Sequence, residues 1–73
     1  MKEGKNMKKI IIEAYNKKTL QERILDVIYC DVTIIIANEQ SIRVVKHFNA
    51  NNQKSEDYNV ADDERINIRN WGN

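Results

Sequence analysis

The stretch ERILDVIYCDVTIIIANEQSIRVV, from Glu22 to Val45, holds most of the chain's large aliphatic side chains and contains neither glycine nor proline to punctuate it. Whether it folds as a helix followed by a hairpin or as strands alone decides the fold class. Its first part, taken from Thr19, admits both. Thr19 and Glu22 have capping-box spacing, and Leu20, Ile24, Val27 and Ile28 recur at i, i+4, i+7 and i+8, as on one helix face. Read as a strand, the segment alternates imperfectly, with Leu20, Glu22, Ile24, Asp26 and Ile28 on one side and Gln21, Arg23, Leu25, Val27 and Tyr29 on the other.

The neighbouring segments favour the strand. A helix over 19–30 would act as a crossover between parallel strands and leave a very small sheet needing cover on both faces. A strand there lets each strand pair with the next, and one twisted sheet can curl toward a barrel. The expectation is an all-β fold, a small bent antiparallel meander or barrel of about four or five strands. The alternative is α+β, a β-α-β-β order with the helix at 19–30.

Outward from this stretch, Lys9 to Asn16 alternates as a strand, with Ile10, Ile12 and Ala14 opposite Ile11, Glu13 and Tyr15, and Asn16-Lys17-Lys18 supplies a turn. Val32 to Ala37 is β-branched throughout its centre and reads as a strand. After the polar turn Asn38-Glu39-Gln40-Ser41, Ile42 to Phe48 returns as its hairpin partner. Residues 49–64 are rich in Asn, Asp, Glu, Ser and Gln and read as a long acidic, solvated loop. Arg65 to Trp71 alternates once more, which predicts a closing strand and tail over 65–73. The polar residues 1–7 read as a leader, with Met7 an alternative start, so the core is expected over 8–48.

The chain has 73 residues, and a body this short buries only about 60 % of the surface its unfolded chain exposes, so the core is marginal. It is 41 % hydrophobic and 32 % charged, a globular composition. The net charge of +1 supplies no overall field toward nucleic acid or an anionic membrane. No apolar run approaches the roughly 20 residues that cross a bilayer. Cys30 is the one cysteine, which excludes an internal disulfide and predicts a reducing, cytoplasmic setting. The abundance of Asn, Ile and Lys predicts an AT-rich coding sequence of bacterial or phage origin.

Catalytic sets are scarce. Cys30 and the single histidine, His47, could form a dyad only across strands, and each has a simpler place on a strand face. A zinc site wants about four ligands, and one histidine does not supply them. The acidic run SEDYNVADDE tempts a calcium reading, but Ala61 breaks the ligand order after Asp57 and Asn59, and Ile68 stands where the bidentate glutamate belongs. Gly4 and Gly72 are the only glycines, which rules out a glycine-rich phosphate loop. Neither catalytic residues, metal nor cofactor are expected.

Two kinds of contact surface remain. Lys8, Lys9, Lys17, Lys18, Arg43 and Lys46 could gather on one rim, and Arg65, Arg69 and Trp71 set two cations beside a stackable ring, a pattern suited to weak nucleic-acid binding. The isoleucine-rich segments offer a protein interface instead, through Ile10, Ile11, Ile12 and Tyr15 and through Ile34, Ile35 and Ile36, because small sheets with unpaired edges are usually covered by a copy or a partner.

The stretches IIIEAYNKKT, RILDVIYCDVTIII and SIRVV together resemble, in hydrophobic spacing, the SH3-like and Sm-like small barrels, and more narrowly the YolD-like family of small Gram-positive bacterial and phage proteins. Glu22 stands where such barrels usually place a bending glycine. The resemblance implies a non-enzymatic accessory role beside DNA-damage polymerases. The reading at this level is a small binding module that acts through protein contacts, as an oligomer or as an accessory or inhibitory factor, with weak nucleic-acid binding as the alternative.

Overall fold

A computed structural model describes residues 9–70. The chain is all-β, with β1 (Ile10–Asn16), β2 (Glu22–Ile28), β3 (Asp31–Asn38), β4 (Ser41–Asn49), β5 (Asn52–Asn59) and β6 (Glu64–Arg69). They form two three-stranded antiparallel sheets, ordered β2-β1-β6 and β3-β4-β5. The last strand returns to pair with the first, so the chain is a meander whose ends meet. It is not a closed barrel, because β2 does not pair with β3 and β5 does not pair with β6. No helix among the described residues is long and apolar enough to cross a membrane.

Within the segment 19–30, β2 forms in place of a helix because local interactions defeat the helix start. The Asn16 side chain accepts N–H bonds from Lys18 at 2.9 Å and Thr19 at 3.0 Å, and Leu20 sits at φ 63°, outside the right-handed helical region. Thr19 Oγ1 then accepts from the Gln21 amide at 3.3 Å. The impure alternation of β2 comes from a β-bulge: Ile12 pairs with Asp26 and Glu13 with Ile24, leaving Leu25 as the extra residue. Asp26 and Ile28 therefore face inward while Ile24 faces out and is exposed. The apparent helical stripe joined residues that the bulge sends to opposite faces.

The polar segment 49–64, expected as a loop, contains β5. Its eight residues include Lys54, Glu56 and Asp57, and it is held by pairing along β4 more than by apolar burial. Arg43 lies directly opposite Asp57 and binds it through two nitrogens, at 2.7 and 3.3 Å. Ser41 donates to Asn59 at 2.8 Å. The closing strand expected over 65–71 is β6, ending at Arg69; the leader 1–7 and Trp71 lie outside the described residues.

Glycine and proline are absent from the turns, and asparagine side chains replace them. Besides Asn16, Asn38 Oδ1 accepts the Gln40 amide at 2.8 Å and Asn49 Oδ1 the Asn51 amide at 2.9 Å, the same two-residue reach each time. At one end of the molecule one of these turns also ties the sheets together. The Ile66 amide of β6 donates to Glu39 O in the β3–β4 turn at 2.7 Å, while those of Val60 and Lys17 donate to Gln40 O and Asp63 O at 3.0 and 2.8 Å and extend the ladders of their own sheets.

Ile10, Ile12 and Ile28 from the first sheet meet Ile42 and Val44 from the second, with Leu25, Cys30, Val32, Ile34, Tyr58, Ile66 and Ile68 packed around them. Ala14 is wholly buried between Arg23 and Ile66. Its small side chain leaves room for Arg23 to reach across β1 to Glu64, where a two-point ion pair forms at 3.0 and 3.1 Å.

Candidate functional site

The inward faces of the two sheets are not wholly apolar. Strand β4 places Ile42 and Val44 in the core, and the next inward position is Lys46. Its Nζ bonds Asp26 Oδ2 of β2 at 3.0 Å and Glu56 Oε1 of β5 at 2.6 Å. Tyr58 OH donates to the same Asp26 oxygen at 2.5 Å and approaches Glu56 at 3.4 Å. The four side chains form a polar seam between the sheets. Lys46 and Asp26 are only 16 % and 26 % exposed, so each depends on the others for the partners that water would otherwise supply.

The seam shifts its own titrations. Burial pushes the Asp26 carboxyl up, but the hydrogen bonds from Tyr58 and Lys46 outweigh it and hold the group below its ordinary value. The hydrogen bond to Glu56 raises Lys46, with Asp26 adding to it against the opposing effect of burial. Burial first, and then the bond to Asp26, raises Tyr58. Glu56, Asp57 and Glu64 are lowered by hydrogen bonds from Lys46, Arg43 and Arg23 respectively.

These directions set the dependence of stability on pH. A lowered carboxylate stabilises the fold above its ordinary value, near about 4, and that contribution is lost as pH falls through the folded value. A raised lysine or tyrosine stabilises the fold below its ordinary value, near about 10, and the contribution is lost as pH rises through the folded value. The urea midpoint is expected to be level from about pH 6 to 9 and to fall on both sides. Lys46→Met should make the alkaline limb shallower; an alkaline limb unchanged by that substitution would remove the seam as its cause.

The expected nucleic-acid rim is not assembled by the described residues. Lys46 is committed to the seam and Arg43 to Asp57. Lys17 Nζ meets Glu39 at 3.1 Å, while Arg69 lies 3.7 Å from the buried Glu13, which also accepts from Asn67 at 2.9 Å. Arg65 stacks over the Tyr15 ring at 5.2 Å. Lys18 is exposed in the first turn, and Lys8 and Trp71 lie outside the described residues.

The interface candidates divide by face. Ile10 and Ile12 are core residues, 3 % and 0 % exposed, and present no surface. Ile11 and Tyr15 are half-buried on the outward face of β1, and Ile34 packs against the core. Ile35 and Ile36 are exposed, at 53 % and 57 %, on β3, an edge strand of its sheet. No family model, curated protein or solved structure matches the chain. The site therefore rests on its own geometry.

The remaining chemistry is sparse. Cys30 borders the core, His47 Nε2 lies 2.9 Å from Thr33 Oγ1, and no group of three or more metal-ligating side chains occurs among the described residues. A shallow depression of about 360 Å³ is lined by Val27, Tyr29, Cys30, Lys46 and Phe48, and its lysine is already engaged by carboxylates.

The edges differ in kind. Strand β2 carries Glu22, Arg23 and Asp26, β5 carries Lys54, Glu56 and Asp57, and β6 carries Glu64, Arg65 and Arg69. Charges of this sort discourage another strand from adding. The amide of Ile66 on β6 is further occupied by the Glu39 carbonyl. Strand β3 has Asp31 at its start and then Val-Thr-Ile-Ile-Ile-Ala without a charge, a proline or a glycine.

Proposed function

We propose that this chain is a small non-enzymatic module that acts through protein contacts, as an accessory or inhibitory factor, and that the free edge of β3 is its contact surface. The observation that carries the reading is the contrast among edge strands: β2, β5 and β6 are charged along their length, and the run from Val32 to Ala37 is not. An edge of this kind offers main-chain donors and acceptors for affinity and alternating side chains for selection. The similarity in hydrophobic spacing to the YolD-like family supports the same accessory role, in a cytoplasmic setting and a bacterial or phage source. The described cations, most of them facing carboxylates, give nucleic acid little to bind.

Thr33→Lys tests the reading, because Thr33 is exposed in the middle of the edge and its side-chain bond to His47 lies at the surface. Tagged wild-type and variant chains are compared as baits in a bacterial lysate treated with nuclease. Wild type should retain protein, whether itself or another chain, and the variant should lose about tenfold in affinity, about 1.4 kcal/mol. Equal retention by both baits, or retention abolished by nuclease, would overturn the proposal.

A further inference from the structure

We infer that the strand added to β3 is β3 of a second copy, running antiparallel about a two-fold axis at Ile34. The inference rests on the reading above, that this edge is a contact surface, and it names the occupant and the register.

In an antiparallel pair, directly opposed residues point to the same face. A strand paired with its own copy must therefore place the two-fold axis at a residue, and the candidates within the uncharged run are few. An axis at Ile35 sets Thr33 opposite Ala37 and Val32 opposite Asn38, and leaves Asp31 facing the turn beyond the strand's end. An axis at Thr33 sets Asp31 against Ile35 and carries Ile36 beyond the strand, opposite Cys30. An axis at Ile34 sets Ile34 against itself, Thr33 against Ile35, Val32 against Ile36 and Asp31 against Ala37. This register opposes β-branched side chains from Val32 to Ile36 and brings no charges together. It also covers both exposed isoleucines of the edge, Ile35 with Thr33 and Ile36 with Val32 of the other copy.

The β-branched block from Val32 to Ile36 is centred on Ile34, so its complement is itself. The charged edges β2, β5 and β6 offer no such match. Pairing there would join two β3-β4-β5 sheets into one six-stranded sheet, closing an isologous interface that does not propagate.

The test uses the purified full chain. Light scattering across a concentration series should show a mass of twice 8.6 kDa at high concentration, and Thr33→Lys should stay at the single-chain mass with an unchanged circular dichroism spectrum. Register is read by cross-linking in a Cys30→Ser background. Thr33→Cys and Ile35→Cys chains, both altered at exposed positions, should form a mixed disulfide when combined and oxidised, faster than either forms a disulfide with itself. Faster self-linking of Ile35→Cys would place the axis elsewhere and overturn the register. A wild-type chain that stays single at every concentration would overturn the second copy as occupant. The broader proposal would survive that result if a different protein were still captured by wild type and lost by Thr33→Lys.

Discussion

Ile12→Ala is expected to lower the unfolding free energy by about 3–4 kcal/mol, in the middle of the range for emptying a buried isoleucine site. Ile12 is 0 % exposed and lies on the central strand β1, opposite Asp26 on one side and Ile68 on the other. Its side chain meets both halves of the core, so neither sheet can close over the gap alone. A domain of this length has about 4–11 kcal/mol of stability in total, so this one change removes about a quarter of it or more. The measurement is the urea midpoint at fixed protein concentration, with Ile24→Ala as the control. Ile24 is 63 % exposed beyond the β2 bulge, and its loss should stay within about 0.5 kcal/mol. Equal midpoints for the two variants would mean that the core is not organised around β1.

The second large effect belongs to the polar seam. Lys46→Met keeps the length of the stem and removes the cation, leaving Asp26 and Glu56 facing each other with the Tyr58 hydroxyl and, on Asp26, the Val27 amide as donors. Removing one partner from a fully buried ion pair costs about 3–5 kcal/mol. Glu56 is 38 % exposed and can regain water, so about 2 kcal/mol is expected here. With a urea slope of about 1 kcal/mol per molar, that moves the midpoint by about 2 M. Adding Asp26→Asn to Lys46→Met should recover part of the loss, because the stranded charge goes with it. A double variant no more stable than Lys46→Met would show that the penalty comes from packing and not from an uncompensated carboxylate.

The parts of the fold that were legible in the sequence are those where several physical signals agree. The β-branched run of β3 and the alternation of β4 across a polar turn locate the hairpin, because strand preference, periodicity and turn chemistry agree there. The β2 segment was readable only with help from its neighbours. The extra Leu25 shifts the alternation by one residue, and that shift imitates a helical repeat. Strand β5 was not legible because its stability is borrowed from pairing with β4, and a string of Asn, Gln, Lys, Ser, Glu and Asp carries no burial signal of its own.

The seam has a faint signature in the sequence. Lys46 occupies the inward phase set by Ile42 and Val44, and a charge at an inward position needs a partner inside. The partners themselves could not be named from the sequence, since Asp26 stands 20 residues from Lys46 and 32 from Tyr58. The contact surface was half legible. Hydrophobicity singled out β1 and β3 equally, and only sheet order distinguishes a central strand, whose isoleucines make the core, from an edge strand, whose isoleucines meet solvent.

The pairing of β6 with β1 sets Ile11 opposite Arg69 and brings the outer limits of the first and last strands together. The polypeptide thus arrives and departs along neighbouring antiparallel strands, about 4.8 Å apart. Such a body can be spliced into a surface loop of a larger host without prising the host's flanks apart. Tension between those flanks would peel β1 from β6 one hydrogen bond at a time, so the domain would yield as a zipper and not as a bolt.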